Sequence, residues 1–153
     1  MSNLTSLRGL LIAQFFGAFN DNAWKLMVAL LAVKQLASQM GAGTEYEAAA
    51  QVQTTITFVV FTLPLMAVSV FAGGFSDRFS KRLVILVTKA LEVALMGLGT
   101  IALFFNPEGG LLPLIVLGAM AVQSALFSPA KYGILPELLS HEQLSAGLSL
   151  IHI

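Results

Sequence analysis

Long apolar stretches dominate this chain, and short polar clusters divide them. The first stretch covers about 7–34, the second about 45–75, the third about 83–105 and the fourth about 111–127. At ~1.5 Å rise per residue, a helix needs about 20 residues to cross a hydrocarbon core, so each stretch is near or above that length. The dividing clusters carry turn residues: Gln39-Met40-Gly41-Ala42-Gly43, the basic run from Gly73 to Arg82, and Asn106-Pro107-Glu108-Gly109-Gly110. Thr44-Glu45-Tyr46-Glu47 reads as a capping box, with Thr44 capping and Glu47 reaching back. Pro64 lies mid-segment, where its missing N–H predicts a kink. Gly118, Ala121 and Ala125 put small side chains near one face of the fourth stretch, which lets helices approach closely in lipid. Ser128 to Leu139 is less hydrophobic and holds two prolines. Ser140-His141-Glu142-Gln143 is a second capping box, which predicts a fifth helix from about 141 that is cut short, or else a short interfacial helix. The predicted fold is all-α and polytopic, with four spans and the start of a fifth.

Composition strengthens the membrane reading. Of the 153 residues, 57% are hydrophobic and 10% charged. A soluble surface usually carries about 25–35% charged side chains. The net charge is zero, which gives nucleic acid no basic platform, so no nucleic-acid partner is expected. Cysteine is absent and there are two histidines, His141 and His152, too few for a histidine-built metal site. No phosphate loop or nucleophile–base pattern is visible, so no catalytic residue, metal or cofactor is expected within these residues. The first stretch has no cleavage pattern behind it and reads as a retained first span rather than a signal peptide.

The basic residues orient the spans. With alternating segments, Arg8, Arg78, Lys81, Arg82 and Lys131 fall on one side, while Lys34 shares the other with Glu45, Glu47 and Glu108. The positive-inside rule then places the N-terminus and the Gly73–Arg82 turn in the cytoplasm.

Charges inside the spans are the candidate chemistry. An ionisable group at mid-bilayer costs roughly 2.5–3.5 kcal/mol on insertion scales. Asp21 and Lys25 are four apart and share a face, with Gln14 and Ala18 on nearly the same stripe and Asn20 and Asn22 flanking it. Lys89 and Glu92 are three apart in the third segment. Two readings are open. The stripe lines a polar cavity that handles a charged or zwitterionic solute or protons, or the two pairs simply neutralise each other and fix packing. Trp24, next to these charges, lines the same cavity or packs in the interior.

The run Gly73-Gly74-Phe75-Ser76-Asp77-Arg78-Phe79-Ser80-Lys81-Arg82 resembles the cytoplasmic signature loop of the major facilitator superfamily. Gly73, Asp77, Arg78, Lys81 and Arg82 match the pattern, while Phe75, Ser76 and Ser80 depart from it. The resemblance implies a gating role for this loop, with Asp77 in a charge relay that steadies one conformation. Phe19-Asn20-Asp21-Asn22-Ala23-Trp24-Lys25 and Ser128-Pro129-Ala130-Lys131-Tyr132-Gly133-Ile134-Leu135-Pro136-Glu137 resemble the lysophospholipid transporter branch. The first of the two is closest to members fused to a phospholipid acyltransferase and an acyl-carrier-protein ligase. The resemblance implies the opening part of a twelve-helix fold in a bacterial inner membrane, a lysophospholipid partner, and dependence on further helices of the same polypeptide. It assigns Asp21, Asn22 and Lys25 to an intramembrane polar motif, and Lys131, Tyr132 and Glu137 to the cytoplasmic end of helix four. The alternatives are the membrane part of a bifunctional acyltransferase and acyl-carrier-protein synthetase, or a structural membrane fragment that transports nothing.

Overall fold

The computed structural model describes residues 2–40 and 43–139. Among them every regular element is helical: α1 (Ser2–Met40), α2 (Thr44–Asp77), α3 (Lys81–Phe105), α4 (Leu111–Gly133) and the single turn α5 (Leu135–Leu138). The second capping box and the fifth span expected from about 141 lie outside the described residues.

The element boundaries follow local chemistry, with two corrections. The box at Thr44 does not form. Extended Gly43 holds the N-cap position and makes no side-chain cap, so Thr44 already sits in the first helical turn. Glu45 and Glu47 still lie in that turn, where carboxylates favour the positive end of the helix dipole. At the other boundary, α4 does not stop near 127 but runs through Pro129 to Gly133. Pro129 removes one ladder bond close to the helix end. Phe127 and Ala130 on either side are buried, and that packing outweighs one missing bond. The proline at 136 then sits in the first turn of α5, where its missing N–H costs nothing. The turn before α4 bends at Gly109 and Gly110, whose φ angles of 92° and 113° are left-handed conformations that glycine tolerates.

Helices α2, α3 and α4 are long and apolar enough to cross a membrane. At 39 residues α1 is long enough, but the polar run from Asn20 to Lys25 interrupts its apolar stretch, and it is not among those three.

Helix α4 is the hub, touching α1, α2, α3 and α5. In its apolar stretch 44% of residues are buried, against 17% in α2 and 22% in α3, so the small-residue helix occupies the middle. Ala121 and Ala125 are fully buried. Gly118 lies where a side chain would meet the backbone carbonyl of Val60. That carbonyl is four residues before Pro64 and has lost its ladder donor. α2 continues as a helix through Pro64.

Trp24 decides the packing alternative set out above. Its indole is buried in the main apolar cluster with Val28, Phe61, Leu95, Leu117 and Met120. Its Nε1 donates to the Pro113 carbonyl at 3.3 Å, pinning α1 to the start of α4. Outside this cluster the surface is apolar: Phe15, Phe19, Phe71, Phe104 and Leu63 are all exposed. In water this would be a liability, but in a bilayer it is the solvent-matched face.

Candidate functional site

Three of the four charges expected inside the spans, Asp21, Lys89 and Glu92, gather between α1, α3 and α4. Gln14, Gly17 and Asp21 of α1 face Lys89 and Glu92 of α3 and Gln123, Ser124 and Lys131 of α4 across a cavity of about 300 Å³. Ser69 and Leu65 of α2 complete its wall. Asp21 lies deepest in chemical terms. Its Oδ2 accepts the Ser124 hydroxyl at 2.5 Å, while its Oδ1 is buried with no hydrogen-bond partner among the described residues. The same hydroxyl lies 3.3 Å from the Gln123 side-chain oxygen. Three oxygens from two helices thus converge with a single hydroxyl proton between them. That makes an acceptor-rich spot suited to a cationic or hydrogen-bond-donating group.

Lys89 and Glu92 form the expected pair, with Nζ to Oε2 at 2.6 Å. Glu92 is buried, and its other oxygen lies 3.5 Å from the Asn20 amide nitrogen, the outer limit of a hydrogen bond. The Lys89 ammonium lies 4.6 Å from the Phe127 ring centroid. Gly17 makes room for it, since a side chain there would strike the Lys89 ammonium. Lys131 reaches the rim of the cavity and lies 4.6 Å from the ring of exposed Tyr132.

Asp21 and Lys25 do not pair. The Lys25 ammonium donates to no carboxylate among the described residues: it donates to Asn22 Oδ1 at 3.3 Å and sits 4.2 Å from the Phe61 ring centroid and 5.6 Å from that of Phe58. Asn22 in turn donates to the Ala18 carbonyl. The predicted stripe therefore splits. Gln14, Ala18 and Asp21 line the cavity, whereas Lys25 turns toward Phe61 of α2 and Asn22 bonds only within α1 among the described residues. Of the two neutralising pairs, only the one in α3 exists.

The signature-like loop is a second cluster. α2 extends to Asp77, so the turn is shorter than expected. Lys81 bridges to Asp77 Oδ1 at 2.5 Å and donates to the Ser76 carbonyl at 3.2 Å. Ser80 caps α3 by accepting from the Leu83 N–H at 3.3 Å. Arg78 and Arg82 are exposed, as is Glu137. Gly73 faces open space and imposes no close contact. A side chain at Gly133 would press on the aliphatic stem of Lys81 at 3.1 Å, so the loop and the end of α4 meet at that glycine.

Gln123 and Ser124 escaped sequence reasoning. The available signal was polar side chains in the middle of an apolar segment, at spacings that share a face with Lys131. The small residues around them drew attention to packing instead.

Comparison with known proteins gives one direction. The chain is 38% identical over 138 residues to the lysophospholipid transporter LplT of Photorhabdus laumondii, covering 90% of this chain and 30% of that protein. The likeness is to lysophospholipid transporters. The transporter of that name from Yersinia enterocolitica is 34% identical over 134 residues, 88% of this chain and 28% of its own length. That from Yersinia pestis is 33% identical over 139 residues, 91% of this chain and 29% of its own. The chain thus spans less than a third of the curated lysophospholipid transporters it matches. The expected kinship to acyltransferase-fused members has no support in this likeness. No protein-family model matches the chain. No solved structure matches it.

Proposed function

We propose that this chain is the N-terminal part of a lysophospholipid transporter of the major facilitator type, working by alternating access in a bacterial inner membrane. What supports the reading is Asp21, a carboxylate held by Ser124 across the α1–α4 contact, with one oxygen unpartnered among the described residues inside a polar cavity. In this reading α1 is a fourth span with its N-terminus in the cytoplasm. The unpartnered Asp21 oxygen takes an ammonium or hydroxyl of the headgroup. Lys131, and Lys89 when it loosens from Glu92, take the phosphate. The acyl chain follows an apolar gap between helices. The remaining helices of the same polypeptide close the path. The Asp77–Lys81 bridge, seated on Gly133, ties the loop to the end of α4 in one conformational state and releases it in the other.

The test is uptake of a labelled lysophospholipid into proteoliposomes holding the complete polypeptide. Asp21→Asn keeps the shape and removes the charge. Uptake falls at least tenfold, the order of one lost charge-assisted contact, with expression and melting unchanged. Equal losses of uptake and of folded protein overturn the assignment and favour a packing role.

A further inference from the structure

A second cavity adjoins this site, sharing only Lys89 with it, on the flank between α1 and α3. It is an open groove of about 440 Å³, within the size range of small-ligand pockets. Leu10 of α1, Ile134 and Leu138 form its apolar floor, and all three are buried in one cluster. Leu86 of α3 stands exposed at its edge. Gly9 opens it: a Cβ built there would meet nothing within 4 Å, so this glycine leaves space rather than admitting a neighbouring helix.

Two cations border the groove, and they differ. The Lys89 ammonium is committed to Glu92. Arg82 makes no hydrogen bond or ion pair among the described residues and is exposed at the end of α3 that meets the basic loop. An apolar trough ending in an uncommitted guanidinium is complementary to an acyl chain ending in a phosphate. Arginine binds phosphate through a fixed fork of donors. The cytoplasmic leaflet supplies anionic phospholipid at the level of a basic turn.

We propose that this groove is a resident site for one chain of an anionic diacyl phospholipid of the cytoplasmic leaflet, with its phosphate on Arg82. The leaflet rests on the orientation proposed above, whereas the groove and its free guanidinium do not. The lipid is a fixed companion of the α1–α3 flank, distinct from the cargo handled at Asp21.

Native mass spectrometry of the delipidated complete polypeptide tests this. Phosphatidylglycerol and phosphatidylcholine of identical chains are the probes. The phosphatidylglycerol adduct survives about fivefold better, the order expected of one basic group facing an anionic lipid. Arg82→Gln abolishes that preference, and Arg82→Lys keeps part of it. Gly9→Leu fills the trough and lowers retention of both lipids, with an unchanged melting temperature as the check on folding. Equal retention of the two lipids, or no effect of either Arg82→Gln or Gly9→Leu, overturns the proposal. So does displacement of the adduct by lysophosphatidylethanolamine, which would put the groove on the cargo path. A photoreactive residue at Leu86 that crosslinks to protein rather than lipid overturns it as well. Because binding is read directly, a failed transport assay leaves this result standing, and the reverse holds too.

Discussion

Gly99 gives the most exact handle on the packing described here. It lies on α3 against the flat face of Trp24, and a methyl group built there would collide with three carbons of the indole ring. Gly97, two residues earlier on the same helix, faces open space. Two chemically identical substitutions should therefore part company. Gly97→Ala gains helix propensity, worth up to about 1 kcal/mol in a helix interior. Gly99→Ala gains the same propensity but overpacks a filled site, which costs about 1–3 kcal/mol. If the indole shifts enough to break its bond to the Pro113 carbonyl, roughly 0.5–1.5 kcal/mol more is lost. Trp24 is the only tryptophan in these 153 residues, so once any tryptophan elsewhere in the polypeptide is replaced by phenylalanine its emission reports this joint without labelling. Thermal unfolding in mild detergent, followed by that emission, should show Gly99→Ala melting lower than the parent with altered native fluorescence. Gly97→Ala should melt at or above the parent with unaltered fluorescence. Indistinguishable behaviour of the two variants would refute the α1–α3 packing argued from Trp24.

Three further outcomes are expected. Lys89→Ala strands the buried Glu92 and should cost about 3–5 kcal/mol, while Lys89→Leu with Glu92→Leu should recover most of it, as measured by melting of each variant and of the pair. Lys81→Ala should change stability by no more than about 1 kcal/mol, because its partner Asp77 is exposed, yet should slow transport if the bridge is a gate. Loss of stability and transport in proportion would argue against gating. These 153 residues lack cysteine, so once any cysteine elsewhere in the polypeptide is replaced, Arg78→Cys and Asn106→Cys can each be labelled alone in intact cells. The proposed orientation predicts that an impermeant thiol reagent reaches position 106 and not position 78, and labelling of 78 alone would invert it.

Much of this architecture was legible in the pattern of residues, for identifiable reasons. Apolar runs broken by Asn106-Pro107-Glu108-Gly109-Gly110 or by the basic loop have few alternatives to helices and turns. Lys89 and Glu92 are one helical turn apart, so their pairing needs only local geometry. The same logic failed for Asp21 and Lys25. Spacing puts them on a common face, but the rotation of α1 against its neighbours decides where each side chain finds a partner. Ser124 is 103 residues from Asp21, and Phe61 is 36 residues from Lys25, so neither contact leaves a local trace. Trp24 was ambiguous on its own because an indole serves a cavity wall and a packed interior equally well. Its partners, Gly99 and the Pro113 carbonyl, settle the matter and are visible only in three dimensions. At Thr44 the box pattern was present, but extended Gly43 had already started the helix one residue earlier. Pro129 misled in the opposite direction, because burial of its neighbours outweighs a local preference.

The central claim is that the cavity at Asp21 and Ser124 receives a lysophospholipid headgroup. Its most direct test is photocrosslinking of the complete polypeptide with a lysophospholipid that carries its reactive group on the headgroup, followed by peptide mapping. The account predicts adducts on the peptides holding Asp21 and Ser124, suppressed by unlabelled lysophospholipid and lost in Asp21→Asn. Labelling confined to helix faces remote from this cavity, or unchanged by that substitution, would contradict it.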